Sequence, residues 1–158
     1  MSTTPDHADV RVFPPLIYLA NLIVSYIAQR WLPLTIVPDR LVLPIRVLGA
    51  MLIFAWPALA VWALVTFRRV GTTPNPTGTS TALALGGPYR FTRNPMYLSA
   101  VFLTAGIAFV ANTLWPLILL PAVVLVVRRA VIDREERYLT ARFGQEYVAY
   151  AARVRRWF

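Results

Sequence analysis

An apolar stretch from residue 95 to residue 132, closed at both ends by charged blocks, constrains this chain more than any other feature. As one unbroken helix rising 1.5 Å per residue, it would reach roughly 57 Å, well beyond a bilayer hydrocarbon core of about 30 Å. Asn112-Thr113 falls near its middle, with Pro116 just after. Such residues favour a turn. The stretch therefore reads as a helical hairpin, residues 95–111 and 114–132. A hairpin returns the chain to the side from which it started. The polar blocks at 87–97 and 133–158 then meet on one face of a membrane and can form a polar site there.

Two further apolar runs come first, at 16–34 and 41–67, separated by a loop centred on Pro38-Asp39-Arg40. Pro57 is expected to kink the second, and Arg68-Arg69 end it. Residues 70–94 are rich in Gly, Pro and Thr and read as a loop; long loops of this kind are commonly functional. The chain is 58% hydrophobic, against about 45–50% apolar content for soluble domains, and its mean hydropathy is +0.57. The expected fold is an all-α integral membrane protein of about four transmembrane helices. The last two form the hairpin, followed by a cytoplasmic amphipathic C-terminal helix in which Leu139, Phe143, Tyr147 and Tyr150 recur at helical spacing. Together these make one membrane domain: helices over 12–69, a loop over 70–94, the hairpin over 95–132 and the C-terminal helix over 133–158. Residues 1–11 are polar, are expected to fray, and lack the pattern of a cleavable signal peptide.

All sixteen basic residues are Arg. With four spans, thirteen lie on the side of the termini and three (Arg30, Arg40, Arg46) on the other. The positive-inside rule then places both termini and both polar blocks in the cytoplasm, in a cytoplasmic membrane of the bacterial inner-membrane kind. The arginines cluster at the ends of apolar runs, which argues for membrane orientation and against nucleic-acid binding. Without Lys there is no Schiff-base chemistry, and without Cys there is neither a thiolate nucleophile nor a disulfide. The only His is His7, in the polar N-terminal segment.

In the first polar block, Gly86-Gly87 permits a close backbone approach or a positive φ. Pro95 suits the first turn of a helix, whose free N–H groups can receive an acceptor. Arg90 and Arg93 can pair with a carboxylate. In the second block, Asp133-Arg134-Glu135-Glu136-Arg137 directly follows a span. Spacing places Glu146, Tyr150 and Arg153 on roughly one helical face with Tyr147 beside them, a set suited to an amphipathic ligand.

Together these segments resemble the superfamily of isoprenylcysteine carboxyl methyltransferases and phospholipid methyltransferases, integral membrane enzymes. The resemblance rests on Gly87-Pro88-Tyr89, Arg93-Asn94-Pro95-Met96-Tyr97, Glu135-Glu136, Phe143-Gly144-Gln145-Glu146-Tyr147-Val148-Ala149-Tyr150 and Val154-Arg155-Arg156-Trp157. It spans about residues 71–157. It implies S-adenosylmethionine as cofactor, with Tyr89, Arg93, Asn94, Pro95, Tyr97, Glu135, Glu136 and Tyr147 at positions matching the cofactor pocket. It places Glu146 and Arg153 towards the methyl acceptor, as catalytic candidates. Tyr150 joins Arg153 as a candidate for binding that acceptor, a lipid-like or amphipathic carboxylate or a lipid amine. Asn94 stands where the family more often has His, and the chain ends without the Pro that often follows the final Trp, so a shorter C-terminal cap is expected. Two rival readings are a membrane reductase of the sterol-reductase type using NADPH and a non-enzymatic membrane adaptor. The sequence leaves the acceptor and the oligomeric state open.

Overall fold

A computed structural model describes residues 12–72 and 80–157. The N-terminal segment with His7, and residues 73–79 of the Gly/Pro/Thr loop, lie outside the described residues. All regular structure among the described residues is helical. The main helices are α1 (Pro14–Trp31), α2 (Val42–Arg69), α3 (Pro95–Val110), α4 (Trp115–Val127), α5 (Asp133–Phe143) and α6 (Gln145–Arg153). Short 3₁₀ turns occupy Asp39–Leu41 and Gly87–Arg90.

Among the described residues, two helices are long and apolar enough to cross a membrane: Asp39–Arg69, of 31 residues, and Trp115–Phe143, of 29. Much of the α2 surface is exposed and apolar, with Leu43, Met51, Phe54, Val61 and Trp62 all facing outward. Exposed side chains of this kind are at home against lipid. The other two expected spans are more modest. Helix α1 buries Tyr18, Asn21 and Ser25, and α3 has 16 residues, short of the roughly 20 that a crossing usually takes.

The chain divides into two compact units. One comprises Phe13–Ala58 and Tyr97–Val127. In it α1 packs on α4; Asn21 Nδ2 donates to the Pro116 carbonyl at 3.3 Å, and Asn21 Oδ1 accepts from Ser25 Oγ at 3.1 Å. Gly49 and Gly106 meet backbone to backbone, so a Cβ on either would overlap the other's carbonyl oxygen. The expected turn falls at Asn112, which takes a left-handed φ of 49°, a conformation Asn tolerates better than most residues. Its Oδ1 accepts from the N–H groups of Ile36 and Val37 at 3.1 Å each, and its Nδ2 donates to the Val37 carbonyl at 2.9 Å. Beside it Gln29 Oε1 accepts from Thr113 Oγ1 at 2.8 Å and from the Leu34 N–H at 3.1 Å. That second bond satisfies the chain just past α1, which is why α1 ends at Trp31 rather than running to residue 34.

The other unit comprises Leu59–Met96 and residues 128–157, with Val12. Ala63, Ala84 and Tyr89 form its small apolar core, with Phe67 and Met96 against them. The Phe67 and Tyr89 rings meet edge to face at 5.2 Å. Two expectations change here. The hairpin's second arm does not stop at Ile132: α4 runs into α5 through a π-helical turn at Arg128–Ile132, one helix from Trp115 to Phe143. The C-terminal segment is two helices rather than one, because Gly144 adopts φ 56° and ψ −128° between α5 and α6. Side chains with a Cβ rarely adopt that backbone conformation. Val154, with an extended backbone, ends α6, and no regular structure follows among the described residues.

Candidate functional site

The residues that could carry chemistry gather in the unit that holds α5 and α6. Helix α5 presents its acidic first turn because the π-helical turn before it inserts an extra residue into the helical register. Such turns are frequent at functional sites. From this turn Glu136 meets two arginines. Arg93 Nη1 lies 3.2 Å from Glu136 Oε1. Arg156 donates from Nε to the same oxygen at 2.9 Å and from Nη2 to Oε2 at 2.5 Å, and its Nη2 also reaches Asp133 Oδ1 at 3.0 Å. A fork-to-fork pair of this kind is among the stronger polar contacts available to a protein. It holds the Arg156 guanidinium protonated even more firmly than usual, chiefly through the Glu136 hydrogen bonds.

The turn before α3 and the chain after α6 are stitched together. The Arg93 N–H donates to the Arg155 carbonyl at 3.0 Å. The Arg156 carbonyl accepts from Thr92 Oγ1 at 2.8 Å and from Asn94 Nδ2 at 3.0 Å. The Asn94 N–H donates to Thr92 Oγ1 at 3.2 Å. Thr92, Asn94 and Pro95 are all buried.

Beside this clamp Tyr147 and Tyr150 are buried, their rings 6.0 Å apart. Tyr150 donates its hydroxyl proton to the Tyr89 carbonyl at 2.8 Å. Burial pushes the Tyr147 hydroxyl up to about 12, aided by the Glu136 charge and opposed by Arg93. Burial likewise raises Tyr89 and Tyr150. All three phenols stay protonated at neutral pH. An open groove of about 620 Å³ runs along this surface; Arg93, Asp133, Glu136, Tyr147 and Arg156 are among its lining residues. Arg93 Nε is the one buried side-chain nitrogen or oxygen among the described residues without a hydrogen-bond partner.

Of the residues singled out from sequence, Tyr89, Arg93, Asn94, Pro95, Glu135, Glu136, Glu146, Tyr147, Tyr150 and Arg153 fall in this unit. Tyr97 falls in the other unit, where its carbonyl accepts from Tyr18 Oη at 3.3 Å. Glu146 and Arg153 are exposed at opposite ends of α6. Arg153 donates to its own helix, at the Ala149 carbonyl, and no ion pair joins it to Glu146 among the described residues. Gly87 has the expected positive φ, 55°, yet its close approach is to Thr66 and Trp62 side chains of α2. Sequence reasoning passed over three participants. Arg156, Asp133 and Thr92 each lie inside a segment that the sequence singles out, with no role attached to them there. The final Val-x-Arg-Trp was the available signal for Arg156.

Comparison with known proteins supplies the family. A family model described as phospholipid methyltransferase matches residues 44–146. No curated protein and no solved structure gives a significant match. The match takes in most of α2, where no motif was recognised, and ends at Glu146, just before the tyrosine pair. Covering about two thirds of the sequence, it shows that this chain belongs to the phospholipid methyltransferase family.

Proposed function

We propose that this membrane-associated chain uses S-adenosylmethionine to methylate a lipophilic or amphipathic acceptor at the cytoplasmic membrane surface. The observation that carries the reading is Arg93, which lines the groove with a partnerless Nε–H while Glu136 pairs with its Nη1. A buried donor without an acceptor is costly, and a ligand carboxylate would satisfy it. The residues present fit the amino-acid end of the cofactor. Arg93 would take the carboxylate, the carboxylates of Glu136 and Asp133 the ammonium, and the face of Tyr147 a cation. Glu135, Tyr89, Asn94 and Pro95 complete the proposed cofactor set. When bound, the cofactor supplies a methyl group already activated on a sulfonium.

The chain's own task is then to bring two reactants into line and exclude water. Tyr150 and Arg153 are proposed to orient the acceptor. With the tyrosines held protonated, Glu146 is the carboxylate left to take a proton from an amine; a carboxylate acceptor would need no base. Family membership supports a lipid amine as the first acceptor to try, and it supports a methyltransferase over a nicotinamide-dependent reductase. Four spans with both termini cytoplasmic, in one membrane domain, complete the proposal.

Titration calorimetry of the purified protein with S-adenosylhomocysteine tests it. Binding is expected in the wild type and is expected to weaken at least about tenfold in Arg93→Gln, the loss of a charge-assisted bond. Binding of NADPH in place of S-adenosylhomocysteine would overturn it. Transfer of labelled methyl to vesicles containing an aminophospholipid, against a prenylcysteine acid, would then identify the acceptor.

A further inference from the structure

We propose that residues 154–157 form a strap over the groove and that Asn94, with Thr92, is its catch. Two kinds of contact hold the strap. Its backbone accepts from the turn: Arg155 carbonyl from the Arg93 N–H at 3.0 Å, and Arg156 carbonyl from both Thr92 Oγ1 and Asn94 Nδ2 at 2.8 and 3.0 Å. Its Arg156 side chain grips Glu136 and Asp133. No secondary structure fixes it, since α6 ends at Arg153. Past the Val154 N–H, which bonds the Tyr150 carbonyl at 3.0 Å, the strap depends on these contacts with the turn and with α5.

Docking of the strap has a consequence for Arg93. Glu136 Oε1 is shared by Arg93 and Arg156. With Arg156 in place, the Glu136 carboxylate is pinned at both oxygens, and Arg93 is held at its Nη1 with Nε left over. Without Arg156, Glu136 is free to turn and Arg93 loses its fixed aim. Thr92 thus acts at one remove, as a positioning residue, and Asn94 does so in addition to its proposed place in the cofactor set. Asn94 serves as a neutral donor, with no proton transfer at that position. The strap stands on its own hydrogen bonds; only its effect on ligand affinity rests on the methyl-transfer reading.

Three variants of the full-length protein in detergent test this: Asn94→Leu, similar in size but without donors; Asn94→His, which restores an N–H; and Thr92→Val, which removes the hydroxyl alone. Hydrogen exchange at the Arg93 amide reports docking directly, without any ligand. We expect about five- to tenfold faster exchange in Asn94→Leu, a similar or smaller gain in Thr92→Val, and near wild-type exchange in Asn94→His. S-adenosylhomocysteine affinity is expected to fall about as much in Asn94→Leu and to recover in Asn94→His. Unchanged exchange in both Asn94→Leu and Thr92→Val would overturn the strap. So would equal damage from Asn94→Leu and Asn94→His, because that marks a packing role. If the wild type binds no S-adenosylhomocysteine, the functional reading falls while the exchange comparison still decides the strap.

Discussion

Glu136 shows how one residue's position can decide a site. Its side chain is 16% exposed and serves two arginines. Removing its charge leaves both facing each other across a half-buried space. Glu136→Gln is therefore expected to lower stability by about 1–3 kcal/mol, the usual cost of breaking a charged hydrogen-bond network, as measured by thermal unfolding; Glu146→Gln, at an exposed position, should be close to neutral. Equal effects from the two would contradict the clamp. Tyr147 adds a pH signature. Its hydroxyl is raised to about 12 in the fold, from an ordinary value near 10, so the folded state holds the proton more tightly than the unfolded one. Its contribution is fully present below about pH 10 and is lost as pH rises from 10 towards 12. Tyr147→Phe should flatten, though not abolish, the loss of stability across that window, because Tyr89 and Tyr150 also shift upward. Arg93 and Glu136 were legible in sequence because each sits in a short local pattern. The role of Arg156 was not, because it depends on a chain reversal that brings residue 156 back to residue 92, and no local spacing encodes a reversal.

At the scale of elements, the helices were legible wherever apolar runs met a hard stop. Arg68-Arg69 closes α2, and Asn112 makes the hairpin turn much where composition suggested. The misreadings lie where one backbone conformation overrides composition. The run from Trp115 to Phe143 changes from apolar to charged without a break, since a π-helical turn keeps the helix going while resetting its register. Conversely, the amphipathic pattern from 133 to 156 looked continuous, yet Gly144 ends α5 with a φ of 56°. Nothing lies within 4 Å of a Cβ placed at Gly144, so Gly144→Ala would introduce strain without a clash. The expected cost is about 1–3 kcal/mol, or else a straightened helix that carries Tyr147 and Tyr150 away from Tyr89. Near-ultraviolet circular dichroism of the tyrosines separates these outcomes, and a variant indistinguishable from wild type in both signal and stability would show that the break is not set by glycine.

At the scale of the whole molecule, ion pairs and hairpin contacts constrain how the chain can cross a bilayer. Arg93 and Glu136 are 3.2 Å apart, so the segment between them must leave and return: 95–132 crosses twice or not at all. The Asn112 turn is bonded to Ile36 and Val37, so the tip of the hairpin and the loop before α2 share one side. In the proposed four-span arrangement that side is the one away from the cytoplasm, and the helix Asp39–Arg69, 31 residues long and apolar, is the span that returns. The chain contains no cysteine, so single cysteines introduced at the exposed positions Arg40, Arg90 and Arg142 can be labelled without background. An impermeant maleimide applied to intact cells is expected to modify Arg40→Cys alone, with Arg90→Cys and Arg142→Cys reacting only after permeabilisation. Labelling of Arg90→Cys and Arg142→Cys from opposite sides would break the link between ion pair and topology, and with it the polar site, because Arg93 and Glu136 could not then share one face of the membrane.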